Sequence, residues 1–291
     1  MSLINPRSIP STGNIELQGD VWYVDGNMAS SGGDGKSWAS AYQSLATALA
    51  ASHADIARTA DRQWAGRNTI YVKGDSLEED LVLFADKTDV IGVGAKDSYD
   101  MPCIVGNHVP TNGLSTRFFN IQFRGNVTTG GIIMTLASTS SGIVFNGCHF
   151  NGWSTTPATI GLKSTASPRL RVENCKFLGE FSTSAIHLLT GDGNGTLIRN
   201  NIIQSAGIGI DIDSGFSSAN EHALCVGNII MSTGLCIDDD ADTGMFFVDN
   251  RGISAGTIGA NSYDFAGPYS CGNIISGSDT ATTWPLAVNH A

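Results

Sequence analysis

Five aspartates lie in two short segments whose residue types and spacing could support chemistry. The segment at 210–213 reads Ile-Asp-Ile-Asp, and the segment at 237–240, which begins 27 residues later, reads Ile-Asp-Asp-Asp. If Ile210 and Ile237 face a protein interior, the alternating residues of each strand face outward. His187, between Ile and Leu, aligns with the same position one repeat earlier. We therefore expect one outward-facing column, made of His187, Asp211, Asp213, Asp238 and Asp240.

Paired carboxylates of this kind are the groups that glycoside hydrolysis uses. With strand spacing, Asp211 and Asp238 should lie roughly 5 Å apart, and the diagonal from Asp211 to Asp240 should be about 8 Å. These separations fall near those of retaining and inverting glycosidases. Stacked like charges repel, so one carboxyl should have the raised pKa that a general acid needs. For an enzyme, the predicted catalytic set is Asp211, Asp213, Asp238, Asp240 and His187.

Two other interpretations of the same column remain open. A bound cation would relieve the repulsion, and calcium prefers carboxylate oxygens, which predicts a calcium site at Asp211, Asp238 and Asp240. Alternatively, the column is a solvated acidic face, which protects a flat sheet from unwanted association. Asp239 would point inward if its strand continued, so the strand is predicted to end there.

A repeating pattern indicates what would position this column. Its last apolar residue falls at 123, 150, 177, 203 and 230, so the repeat length is 26 or 27 residues. A fixed period of this length predicts a solenoid, in which each unit buries its apolar face against its neighbours. Apolar residues two apart, with Gly at the corners, make the unit strand-based. The repeats read FNIQF at 119–123, GCHF at 147–150, NCKF at 174–177, NNII at 200–203, and GNII at 227–230 and 272–275.

These repeats resemble the right-handed parallel β-helix, the fold of pectate lyases, many phage tailspikes and other polysaccharide-active or virion-surface proteins. The resemblance covers roughly residues 20–275. It implies an all-β fold, a single right-handed parallel β-helix with an N-terminal amphipathic capping helix. Pectate lyases hold calcium with Asp clusters on a β-helix face and use an arginine as base. No arginine aligns with the column here, because Arg199 and Arg251 belong to the preceding strand set.

The chain divides into four predicted parts. Residues 1–20 form a polar N-terminal arm that could dock onto a larger assembly, and residues 278–291 form a C-terminal tail or cap. Between them, residues 21–68 form an N-terminal cap and residues 69–277 form the β-helix. Apolar residues at 42, 45, 48, 49 and 56 approach a 3.6-residue period and predict a helix in the cap. Such a helix would cover the open apolar end of the first coil.

Composition excludes some partners. The net charge is −11 and no basic run is present, so a nucleic-acid partner is not expected, because phosphate binding needs clustered Lys and Arg. No stretch of 18 apolar residues occurs, which argues against membrane insertion. Residues 1–19 lack the apolar segment of a secretory signal, so we expect either a signal that has been removed or release by another route, such as lysis with virus particles.

Two other patterns concern structure. Cys148 and Cys175 lie one repeat apart at the same phase, where they could form a disulfide or pack as free inward thiols.

Asparagines at 174, 200, 228 and 273 recur near a corner of the unit. Asn tolerates the left-handed backbone and can bond to the neighbouring coil, so these residues are predicted to be structural.

Two functions from different classes remain. The first is a structural or binding protein of a virion surface, such as a tailspike-like, head-fibre or capsid-decorating protein that is assembled in the host cytoplasm. By analogy with β-helix virion proteins it would be a homotrimer, with the arm contacting other virion proteins and host glycans as possible ligands. The second is an extracellular polysaccharide lyase or glycoside hydrolase that acts through the aspartate column, with calcium as a possible cofactor.

Overall fold

The computed structural model describes residues 19–29, 32–58, 66–74, 76–94, 101–126, 128–153, 155–217, 222–240, 245–254, 263–265 and 270–277. Almost all of the predicted N-terminal arm and the whole C-terminal tail lie outside these ranges. Within them, no helix combines the length and apolar character that crossing a bilayer requires.

Short strands account for most of the regular structure. Their bounds in chain order are β1 (Val21–Asp25), β2 (Asn68–Lys73), β3 (Ser76–Glu78), β4 (Thr88–Gly92), β5 (Cys103–Val105), β6 (Gly113–Leu114), β7 (Arg117–Phe119), β8 (Gln122–Arg124), β9 (Gly131–Leu136), β10 (Ser140–Ser141), β11 (Val144–Asn146), β12 (His149–Asn151), β13 (Ala158–Ser164), β14 (Arg171–Glu173), β15 (Lys176–Leu178), β16 (Ser184–Leu188), β17 (Gly191–Asp192), β18 (Leu197–Arg199), β19 (Ile202–Ser205), β20 (Ile208–Ile212), β21 (Phe216–Ser217), β22 (Ala223–Val226), β23 (Ile229–Ser232), β24 (Ile237–Asp239), β25 (Met245–Val248), β26 (Arg251–Ser254), β27 (Tyr263–Phe265), β28 (Ser270–Cys271) and β29 (Ile274–Gly277).

The strands stack into three long parallel sheets, which confirms the predicted solenoid. The first sheet runs β1-β2-β4-β7-β11-β14-β18-β22-β25-β28, and the second runs β3-β5-β8-β12-β15-β19-β23-β26-β29. The third sheet has six strands, β9-β13-β16-β20-β24-β27, and two short pairs, β6-β10 and β17-β21, accompany it. Each strand pairs in parallel with its counterpart one coil away, for example β16 with β20 and β20 with β24. Residues at the same phase of the repeat are therefore stacked as neighbours.

Stacked aromatic rings fill the interior of the middle coils. Phe123, Phe150 and Phe177 follow one another in the second sheet and are fully buried. The rings of Phe150 and Phe177 lie 4.5 Å apart between centroids, with an interplanar angle of 2°. A period of 27 residues places like residues over like, so identical side chains stack along the axis. In the later coils Ile203 and Ile230 take over this position.

The asparagines predicted at one corner occupy two different positions. Asn174 and Asn200 adopt the left-handed backbone, with φ of 54° and 56°. Asn228 and Asn273 come one residue after the left-handed position and belong to a ladder inside the corner. There Asn201 Nδ2 donates to Asn228 Oδ1 (2.9 Å), Asn228 Nδ2 to Asn250 Oδ1 (2.8 Å), and Asn250 Nδ2 to Asn273 Oδ1 (2.9 Å). The left-handed prediction is thus confirmed for the first two residues and wrong for the other two.

The two cysteines one repeat apart continue the same interior position in earlier coils. Cys148 and Cys175 are both buried and both free thiols. The amide nitrogen of Cys175 donates to Asn201 Oδ1 (2.9 Å), which joins the thiol position to the ladder. The structure therefore agrees with inward thiols that pack as small apolar groups.

The predicted capping helix is present as α1 (Leu45–Arg58) and is anchored by one carboxylate. Glu79 follows β3 and accepts hydrogen bonds from the backbone nitrogens of Leu45 (2.8 Å) and Ala46 (3.1 Å) and from Ser44 Oγ (2.6 Å). A carboxylate at the start of a helix accepts hydrogen bonds from amide groups that have no partner within the helix. Its negative charge also interacts favourably with the positive end of the helix dipole. Leu45, Ala48 and Leu49 are fully buried in the core that the helix covers.

The strand that contains Asp239 ends at this residue, as predicted, but Asp239 still faces inward. β24 ends at Asp239, which pairs with Ile212 of β20 and with Phe265 of β27. The side chain is only 3% exposed. The register explains the result: pairing on both sides holds the backbone extended through this residue and turns its side chain inward.

Candidate functional site

The third sheet carries the polar column that the repeat spacing predicted. His187 of β16 pairs in register with Asp211 of β20, and Asp211 pairs with Asp238 of β24. The register also places two residues that sequence reasoning missed, Lys163 before His187 and Asp264 after Asp238. The signal for Asp264 was in the sequence, since Tyr-Asp-Phe at 263–265 follows Ile-Asp-Asp by 26 residues.

Three members of the column converge on one point. His187 Nε2 lies 3.2 Å from Asp213 Oδ2 and 3.7 Å from Asp211 Oδ2. One donor atom from each residue can be chosen so that all three lie within 4.8 Å of one another. The side chains of His187 and Asp211 are 13% and 16% exposed, and that of Asp213 is 39% exposed. The group is thus largely withdrawn from water on one side and open on the other.

Asp213 reaches this point because the chain pairs for one residue beyond β20. Its backbone nitrogen donates to Leu188 O (2.9 Å), and its carbonyl accepts from the nitrogen of Phe216 (2.8 Å). The first bond continues the register with β16, and the second closes the turn before β21. Two residues along a strand lie on the same face, so Asp211 and Asp213 both face His187.

The surroundings of the Asp211 carboxyl shift its pKa. Burial raises the pKa of the Asp211 carboxyl, His187 lowers it, and the carboxylates of Asp213 and Asp240 raise it further. The net shift is upward. A carboxyl that is desolvated beside other carboxylates holds its proton to a higher pH than a solvated one.

The other two predicted residues lie in the next coil. Asp238 stacks on Asp211 through the strand register, and Asp240 follows β24 with its nitrogen bonded to Ile212 O (2.9 Å). Asp240 is exposed and acts on Asp211 through its charge. The catalytic roles of the column and the calcium set of Asp211, Asp238 and Asp240 stay predictions.

A second surface, which the sequence reasoning did not identify, lies on the outer face of the second sheet. Four large apolar side chains there are between 37% and 50% exposed. The strand register stacks Ile229 on Ile202 and Ile253 on Met231, and it places the exposed Arg251 after Ile229. We call the four apolar residues the apolar face: Ile202, Ile229, Met231 and Ile253. The repeat contained a signal, because each Asn-Ile-Ile segment has two consecutive isoleucines, of which only the second can face the interior.

A cleft of about 360 Å³ lies between the capping helix and the first coils. Its lining includes Tyr42, Gln43, Ser44, Leu77 and Glu79. Because Glu79 already caps the helix, the polar groups at the base of this cleft serve the junction between cap and solenoid.

A scan against protein-family models, a search of curated proteins and a search of solved structures each found no match to this chain.

Proposed function

We propose that this protein is a structural or binding subunit of a virion surface that assembles as a homotrimer through the apolar face. The observation that carries the proposal is the apolar face itself, a row of half-exposed isoleucine and methionine side chains on a flat parallel sheet. The threefold state, the virion surface and attachment through the N-terminal arm rest on the resemblance to β-helix virion proteins.

Physical chemistry favours covering this face. Natural sheets protect flat apolar surfaces with charges, and large contiguous apolar patches mark interaction sites. Burying the exposed parts of the four side chains would contribute on the order of 1 kcal/mol each per subunit. The acidic column lies on a different sheet, so contact through the second sheet does not bring those carboxylates of neighbouring copies together.

The mass in solution tests this proposal. We expect light scattering at neutral pH to give three copies of the 30.5 kDa chain and Ile229→Lys to give a monomer. Val93→Lys is the matched control, because Val93 is also 44% exposed but lies directly after β4 of the first sheet, away from the apolar face. A monomeric wild-type protein, or equal dissociation by both substitutions, would overturn the proposal.

The second candidate is cleavage of a polysaccharide through the aspartate column. The observation that favours it is the raised pKa of Asp211 beside His187 and Asp213, which suits a general acid. Sugar release from an acidic or neutral polysaccharide, lost in Asp211→Asn while the mass in solution is unchanged, would support it. If the protein releases no sugar from a broad panel of polysaccharides, this second candidate is rejected and the structural role is retained.

A further inference from the structure

The convergence of His187, Asp211 and Asp213 has the geometry of a metal site. Zinc bonds to imidazole nitrogen and carboxylate oxygen are about 2.0–2.2 Å long, so tetrahedral ligand atoms lie roughly 3.3–3.6 Å apart. The separations from His187 Nε2 are 3.2 Å to Asp213 Oδ2 and 3.7 Å to Asp211 Oδ2. The 3.2 Å contact is a hydrogen bond in the absence of an ion, and all three donor atoms lie within 4.8 Å of one another, so an ion between them would replace that bond with three metal–ligand bonds.

We propose that His187, Asp211 and Asp213 bind one divalent transition-metal ion of the zinc type. The donor set decides the class of ion, because imidazole suits zinc, nickel, iron and copper, whereas calcium and magnesium prefer oxygen ligands alone. This set differs from the three aspartates that the sequence suggested for calcium. Three protein ligands leave the fourth position of a tetrahedral ion open to water or another molecule.

The strands preorganise this donor set. His187 and Asp211 stand in register on adjacent strands, and the backbone of Asp213 is fixed by its bond to Leu188 O. Nδ1 of His187 is buried, whereas Nε2 faces the two carboxylates and is the nitrogen that a ligand can reach. Side chains held by a sheet lose little conformational freedom on binding an ion.

Charge gives a reason, independent of the distances, why a cation would be stabilised here. Asp238 stacks on Asp211 in the next coil, and Asp240 also acts on the Asp211 carboxyl. A single imidazole, even when protonated, carries one positive charge against these carboxylates. A divalent ion would offset two negative charges beside Asp211, whose side chain is only 16% exposed.

Calorimetric titration of the full chain with Zn²⁺, repeated in excess Ca²⁺ and Mg²⁺, tests the inference. We expect one ion per chain, little competition from Ca²⁺, and a loss of affinity of about tenfold or more in both His187→Gln and Asp213→Asn. The imidazole resonances of His187 should shift on saturation. Asp213 is partly exposed, so we expect Asp213→Asn to fold normally. This variant therefore tests the site even if His187→Gln folds poorly.

The matched control is Asp240→Asn, which removes the same charge from the same patch but none of the three donor atoms. We expect it to keep most of the affinity. Equal weakening by Asp240→Asn and Asp213→Asn would show diffuse attraction to an acidic surface and would overturn the site. Equal binding of Ca²⁺, or binding of Zn²⁺ that His187→Gln leaves intact, would also overturn it. None of these outcomes depends on the oligomeric state.

Discussion

The early coils (residues 117–178) and the later coils (197–254) build the same solenoid with different chemistry. In the early coils, phenylalanine rings stack in the core and two thiols occupy the inner corner. In the later coils, isoleucines replace the stacked phenylalanines of the second sheet, and a ladder of four asparagines continues the corner. The same backbone arrangement can therefore be stabilised in two ways. Stacked rings hold neighbouring coils together in the early region, and hydrogen bonds between side-chain amides do so in the later region.

The exteriors of the two regions differ as well. On the first sheet, Asp89 pairs with Arg67 and Arg117 at the start of the early coils, and Glu173 pairs with Arg171 and with Arg199 of β18, the first strand of the later coils. The later coils instead expose the apolar face on the second sheet. Charged pairs keep the early surface solvated, whereas the later surface is suited to burial against another molecule.

The largest expected effect is in the early core. Phe150→Ala removes a fully buried ring that stacks on Phe123 and Phe177, so the free energy of unfolding should fall by about 3–5 kcal/mol. Urea unfolding monitored by circular dichroism measures it. A loss below about 1 kcal/mol would mean that the early coils do not depend on the aromatic stack.

The later coils should respond next most strongly to loss of the ladder. In Asn228→Ala, the backbone nitrogen of Asn201 loses its acceptor, Ile198 O loses the side-chain amide that donates to it, and Asn250 Oδ1 keeps only the donor on the backbone of residue 228. This loss should cost about 3 kcal/mol. The same unfolding experiment applies. Asn200→Gly is the control, because glycine adopts the left-handed backbone of Asn200 freely and should change stability by less than about 1 kcal/mol.

Acid should affect the early coils first, because the buried His108, which precedes them in the chain, packs against Phe123 of their core. Burial lowers the pKa of His108 from 6.5 to about 4, and its ring lies 5.6 Å from that of Phe123. Below pH 6.5 the unfolded chain takes up a proton that the folded chain refuses, so this stability is complete above pH 6.5 and is lost as the pH falls towards 4. We expect a loss of about 2 kcal/mol at pH 5.

Comparing the pH dependence of unfolding for wild type and His108→Gln separates the contribution of His108 from that of the carboxylates. The difference between the two curves should be flat above pH 7 and steepest between pH 6 and 4. Hydrogen exchange at pH 5 should show the early coils opening before the asparagine ladder. Identical curves for both proteins would contradict the assignment.

The smallest effect should come from the cap, which precedes both regions. Glu79→Ala removes the acceptor of two backbone amides at the start of α1 and should cost about 1 kcal/mol. Glu79→Gln keeps an oxygen acceptor and should recover part of the loss. Thermal melts of the three proteins would check this order, and a more stable alanine variant would contradict it.

The repeat period was enough to predict the solenoid, because stacking of equivalent residues follows from a constant spacing, and the 3.6-residue spacing of apolar residues predicted the capping helix. It also aligned His187 with Asp211 and Asp238, which the strand register repeats. It could not show that Asp213 turns towards His187, since that depends on how far pairing continues past a strand. Nor did it separate the corner asparagines, because a shift of one residue exchanges the surface for the interior.

The asparagine ladder also has a mechanical consequence. Bonds between its side chains run from coil to coil, in the same direction as the backbone bonds of the sheets. A pull along the long axis is therefore shared among three sheets and the ladder, while the early coils share it among the sheets and packed rings. Under tension along this axis, we expect the early coils to separate before the later coils, because they lack the side-chain hydrogen bonds of the ladder.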